Sequence, residues 1–155
     1  MAPPRWTRRL FRPDDLEAIA RAVREAEAGT SAEIRVHLEP RLPRVAGDGR
    51  REPLGRAREV FARLGMHRTA GRNGVLVYLA LDDRRLAIVG DEGIHARVGD
   101  VYWEAVRDAM VTRLRQQAAR DAVVTALADL GRVLAHHFPR GPDDRNELSD
   151  TVSLG

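Results

Sequence analysis

Residues 74–80, Gly-Val-Leu-Val-Tyr-Leu-Ala, restrict the fold more than any other segment, because seven successive positions carry no charged side chain. A strand with one wet face alternates apolar and polar residues. An unbroken run rich in β-branched and aromatic residues predicts a strand covered on both sides. Helices must then lie over both faces of the sheet that contains it. Asp82-Asp83 supply turn chemistry before a second strand at 84–89, so the two strands form an antiparallel hairpin ending at Gly90.

The flanking residues provide that cover. Asp14 and Glu17 have capping-box spacing, and Leu16, Ile19, Ala20 and Val23 recur at helical intervals until Gly29. Residues 30–39 read as a half-exposed strand, with Ile34, Val36 and Leu38 on one face and Glu33, Arg35 and His37 on the other. Residues 40–53, with three prolines and Gly47-Asp48-Gly49, read as a loop. Leu54, Ala57, Val60, Phe61 and Leu64 then form a helical stripe closed by Gly65. Strand, helix, strand in this order predicts two parallel strands joined by a right-handed crossover.

After a loop at 91–99, Asp100 is placed to cap a helix with the stripe Trp103, Val106, Met110 and Leu114. A further helix from Ala119 carries Val123, Leu127, Leu130 and Leu134 and stops at Pro139. The fold class is therefore α/β: an α/β/α sandwich with a small mixed sheet of about three or four strands. One domain spans residues 1–138, and a polar tail at 139–155 is disordered or laid on the surface.

Composition narrows the chemistry. No cysteine is present, which removes disulfides, thiolate metal sites and cysteine nucleophiles. All 26 basic residues are arginine, so lysine Schiff bases and a phosphate-loop lysine are excluded as well. The net charge is only +3, and arginine is dispersed among acidic residues, which speaks against nucleic acid as a partner. No run has transmembrane or signal-peptide character, so the expected location is the cytoplasm. Trp6, Leu10 and Phe11 are expected to pack on the domain rather than meet a membrane surface.

Parallel strands at 30–39 and 74–80 would begin at one sheet end, where the antiparallel partner finishes. Glu33, Asn73 and Asp91 then share that end, the loop carrying Glu92 returns to it, and Asp100 opens the next helix. Oxygen-only donors suit calcium or magnesium, and clustered carboxylates repel one another without a cation. A second reading of the same residues makes Asp100 a helix cap, Asn73-Gly74 and Asp91 turn formers, and Glu33 a solvated strand residue. At the opposite end Asp82-Asp83 and Glu39 form another acidic group, read as a turn. His95 lies near the acidic loop, whereas His37 and His67 have no partner identifiable from sequence. Arg72, Arg84, Arg85 and Arg97 are near enough to bind phosphate, but chance placement accounts for them equally, and no phosphatase nucleophile motif is visible.

The run at 69–100, TAGRNGVLVYLALDDRRLAIVGDEGIHARVGD, resembles the central signature of the TPM-domain family. Thr30-Ser31-Ala32-Glu33-Ile34, FARLGM at 61–66, Trp103 and DRNELSD at 144–150 resemble its short stand-alone members, so the similarity covers most of the chain. It implies an α/β/α sandwich, divalent-metal binding, and a phosphatase label that does not extend to every member. Many relatives also carry a signal peptide and membrane anchor. With the residues above, the resemblance implies a non-catalytic, interaction-mediating module that binds a divalent cation at Glu33, Asn73, Asp91, Glu92 and Asp100. Its protein partner is unknown, and the alternative is a metal-dependent phosphatase.

Overall fold

The apolar run at 74–80 is an inner strand of a four-stranded sheet and is buried along its whole length. The computed structural model describes residues 4–9, 11–45, 49–50, 52–69, 71–116, 119–141 and 152–155. Expectations for Leu10, Gly47-Asp48 and the tail at 143–150 lie outside the described residues. In chain order the elements are α1 (Pro13–Glu27), β1 (Glu33–Glu39), a short pair β2 (Arg44–Val45) and β3 (Gly49–Arg50), and α2 (Pro53–Arg63). Then come β4 (Gly74–Ala80), β5 (Arg85–Gly90), α3 (Glu92–Val98), α4 (Asp100–Arg115), α5 (Ala119–His137) and β6 (Ser153–Leu154).

The sheet order is β5-β4-β1-β6. β1 and β4 are parallel, β4 and β5 form the antiparallel hairpin, and β6 adds in parallel to β1 at His37 and Leu38. Ile34, Val36, Val75, Val77, Leu86 and Ile88 pack on one side against α1, α4 and α5. On the other side Leu76, Tyr78 and Val89 meet Ala57, Val60 and Phe61 of α2. A strand without a polar face thus receives helices on both faces, as its composition requires. Phe11 is buried in the first of these cores, with Trp6 packed against it, which supports packing over membrane contact.

Several local expectations need correction. The α1 cap is Arg12 rather than Asp14: its backbone N–H donates to the Asp15 carboxylate at 2.8 Å, and Glu17 lies two residues beyond that N3 position. Residues 91–99 are not a loop, since Asp91 accepts from the Glu92 N–H and caps α3. Asp100 is consequently no cap; it is the first helical residue of α4, behind Gly99. The stretch 40–53 includes the antiparallel pair β2–β3. Most consequential, the polar face of β1 is not half exposed, because Glu33, His37 and Glu39 are all buried. Of the tail read as disordered or laid on the surface, Ser153 and Leu154 add to β1 as β6.

Helix α5 lies so close to α1 that a Cβ added at Gly131 would stand 2.9 Å from the Ala26 Cα. Gly131→Val should therefore lower the unfolding free energy by about 2–3 kcal/mol in a denaturant titration, through overpacking. Gly55→Ala in α2 is the control: its added Cβ meets nothing within 4 Å, and it should raise stability by up to about 1 kcal/mol.

Candidate functional site

The parallel register sets Glu33 beside Gly74, and the Glu33 N–H donates to the Asn73 carbonyl at 3.3 Å. On the other side of β4 the Asp91 N–H donates to the Gly74 carbonyl at 2.9 Å. Glu33, Asn73 and Asp91 are therefore brought to one sheet end, and all are buried. Their side chains already have local duties. Asp91 receives Arg72 in a bidentate pair, Nε to Oδ2 at 3.0 Å and Nη2 to Oδ1 at 3.1 Å, besides capping α3. The Asn73 amide reaches Ser31 Oγ at 3.4 Å, and its backbone N–H donates to Thr69 Oγ1 at 3.2 Å.

Glu92 and Asp100 stand outside this group, their side chains each 83% exposed. Glu92 lies 3.9 Å from Arg72, and Asp100 lies 3.4 Å from His95 Nδ1. Among the described residues no three acidic or histidine side chains come together in a way that would hold an ion. The donor chemistry fits a hard cation, but Arg72 holds the position a cation would take on Asp91. Arg72 is one of two non-glycine residues with a left-handed backbone among the described residues, at φ 49°. Its side chain is nearly half exposed, at 47%.

A second polar centre lies on the α2 face of β1, and sequence reasoning did not assemble it. Glu39 accepts from Arg56 Nε at 3.1 Å and Nη2 at 2.5 Å, and from the Tyr78 hydroxyl at 2.6 Å. His37 Nε2 is 3.2 Å from Glu39 Oε1, and His37 Nδ1 is 2.8 Å from Ser153 Oγ. Burial alone would push the Glu39 carboxyl up, but the bonds from His37, Arg56 and Tyr78 outweigh it and hold the group down at about 2. Burial and the neighbouring Glu39 together drive the Tyr78 hydroxyl far above its ordinary value.

The order serine, histidine, carboxylate is that of a hydrolytic triad, but the charge distribution is not. Glu39 is already neutralised by Arg56, and four donors consume its oxygens, so little of its charge is left to polarise His37. The centre is a buried ion network that lets a polar strand face be covered. The signal that would have revealed it is the pairing of His37 with Tyr78 and Glu39 with Ala80, which depends on the β1–β4 register. Asp82-Asp83 form the turn expected of them: Asp83 accepts from the Leu42 N–H at 2.8 Å, while Glu39 faces α2.

A family profile described as the TPM domain matches residues 7–133. Among solved structures, the chain is similar to the BA42 protein of the psychrophilic bacterium Bizionia argentinensis, with 36% identity and a TM-score of 0.83 over 94% of this chain and 95% of that one. The N-terminal domain of a P. gingivalis protein aligns at 19% identity and TM-score 0.65, over 85% of this chain and 83% of that one. The N-terminal domain of the cg2496 protein of Corynebacterium glutamicum aligns at 18% and 0.59, over 80% and 74%. These last two likenesses carry the fold alone. The comparison with curated proteins finds no match. No described helix is long and apolar enough to cross a membrane.

Because the Glu39 carboxyl is depressed from 4.5 to about 2 in the folded protein, the stability it contributes is present above pH 4.5 and is lost as pH falls toward 2. Glu39→Gln should remove that slope, on the order of 2 kcal/mol, and leave Arg56 without its counter-ion. Urea titrations of both proteins at pH 7 and pH 3 check this. Parallel loss of stability in the two proteins would contradict it.

Proposed function

Because the chain belongs to the TPM-domain family, we propose that it is a non-catalytic, interaction-mediating module that takes calcium or magnesium at the sheet end shared by Glu33, Asn73, Asp91, Glu92 and Asp100. The observation that carries this reading is the exchangeable partner of Asp91. Its side chain is 6% exposed and needs a positive charge, yet the arginine side chain that supplies it is 47% exposed and loses little by returning to water. The contrast with Glu39 is direct, since the Arg56 side chain there is only 14% exposed and fixed in place.

Asp91, Asn73 and Glu92 are the residues that would hold the ion once Arg72 withdraws. Glu33 adds negative charge behind them, and Asp100 is drawn from the first turn of α4. A bound divalent cation supplies a larger local charge than arginine and ties α3 to the ends of β1 and β4. The hydroxyls beside this end, on Ser31 and Thr69, bond to Asn73. Neither is bonded to a histidine or carboxylate among the described residues, which favours binding over nucleophilic chemistry.

Calcium titration followed by ¹⁵N NMR should give saturable shifts at Asn73, Asp91 and Glu92 that Asp91→Asn abolishes. Arg72→Ala removes the competing charge and should tighten binding about two- to fivefold. Unchanged spectra at ~10 mM calcium, beyond the weak end for extracellular calcium modules, would end the proposal. Phosphate release by highly purified protein, lost in Asp91→Asn, would instead favour the metal-dependent phosphoester hydrolase.

A further inference from the structure

The two edges of the sheet are finished differently. The Asp91 N–H donates to Gly74 of β4, and in an antiparallel ladder residues that bond inward alternate with residues that face outward. Arg85, Ala87 and Val89 therefore bond to β4, while Leu86, Ile88 and Gly90 turn their N–H and C=O groups away from the sheet. At the β1 edge the same alternation sends Ile34 and Leu38 outward, and there the fold supplies partners. Glu27 Oε2 accepts from the Ile34 N–H at 2.8 Å, and the Leu38 carbonyl accepts from the Gly155 N–H at 2.9 Å. At the β5 edge, no hydrogen bond among the described residues reaches the outward groups of Leu86, Ile88 or Gly90.

The stretch of this edge from Leu86 to Val89 lines a groove of about 820 Å³ between α2 and α4, with room for a strand of about six residues. Its walls include Leu54, a large apolar side chain 42% exposed, and Trp103, whose residue is 6% exposed. The Trp103 indole N–H has no hydrogen-bond partner among the described residues, a donor that the fold itself leaves unsatisfied. A long unpaired edge is ordinarily blunted or covered. Here it is recessed between helices instead.

Charges of both signs line the groove, and Glu52 with Arg85, Asp100 with His95 and Arg107 with Asp108 are paired within it. Helix α4 runs opposite to β5, since Trp103 lies against Gly90 and the Leu114 carbonyl accepts from Arg84 at 3.4 Å. Glu104 thus stands at the Gly90 end beside the Asp100–His95 pair, and Arg84 and Arg115 stand at the other end, where Asp83 is held by the Leu42 N–H. Neither Glu104 nor Arg115 has an ion pair among the described residues.

We infer that this groove receives an extended peptide from a partner protein, added to the four-stranded sheet antiparallel to β5, with apolar side chains toward Trp103 and Leu54 and carboxylates at its C-terminal end beside Arg84 and Arg115. Main-chain bonds to Leu86 and Ile88 supply affinity, and the groove walls with Glu104 and Arg115, unpaired among the described residues, supply direction. The inference goes beyond cation binding and does not require it; Asp100 is the one residue the two sites share.

The test is a ¹⁵N NMR titration in EDTA, so that no cation contributes, with a synthetic peptide of about eight residues that alternates valine and threonine and ends in two aspartates. Saturable shifts and slowed exchange are expected at the Leu86 and Ile88 amides. Binding should weaken about fivefold in Arg115→Glu and recover with a peptide ending in two lysines. Flat amide signals at millimolar peptide, or equal binding of the peptide with its aspartates at the N-terminal end, would overturn the inference. Concentration-dependent protection of the same amides without peptide, with a dimer in sedimentation, would overturn it too and give the edge to a second copy of the chain.

Discussion

Seven consecutive parallel pairs between β1 and β4, from Glu33 against Gly74 to Glu39 against Ala80, hold the remainder of the protein in place. Parallel pairing demands a crossover, which sends α2 to the face opposite α1, α4 and α5. The two strands differ in chemistry, β4 being apolar on both faces and β1 on one only. Their register therefore decides what the polar residues of β1 meet: His37 stacks on Tyr78 with ring centroids 6.0 Å apart, and Glu39 comes within reach of Arg56. A slip of one residue would turn Glu33, His37 and Glu39 toward the α1–α5 core, where no counter-charge waits.

At each end of this ladder a buried carboxylate is neutralised by arginine, in a chain without lysine. Arginine suits that role because its planar fork grips both carboxylate oxygens while remaining charged. The two pairs nevertheless serve different ends. Arg56 is enclosed, and the Glu39 centre is closed over by the chain terminus, where a Cβ on Gly155 would come within 2.8 Å of the His37 ring. Arg72 is accessible to water, so the Asp91 pair can exchange its cation without unfolding anything around it. Enclosure makes the first centre part of the stability of the fold, and access makes the second a candidate for binding.

Most of the architecture was legible in the sequence, because it follows from periodicity. The apolar run at 74–80, the hairpin turn at Asp82-Asp83, the stripes of α2, α4 and α5 and the C′ role of Gly65, with φ 72°, all depend on residues a few positions apart. The convergence of Glu33, Asn73 and Asp91 was also legible, since it follows from strand direction. The rest depends on long-range contacts. Alternation along β1 correctly separated its apolar and polar faces but gave no means of knowing that Arg56, Tyr78 and Ser153 would bury the polar one. Arg72 was one arginine among many until the turn before β4 aimed it at Asp91. Helix α3 lies in the stretch 91–99 read as a loop; its Gly93 is the residue that tolerates a close approach, with a Cβ there only 2.6 Å from the Gly71 carbonyl oxygen.

A crystal grown with calcium tests most directly whether Arg72 is a placeholder at Asp91. The predicted result is density for an ion at about 2.3–2.6 Å from Asp91 oxygens, with the Arg72 guanidinium withdrawn into solvent. An Arg72–Asp91 pair still closed at high calcium, with no ion between the ends of β1, β4 and β5, would contradict it.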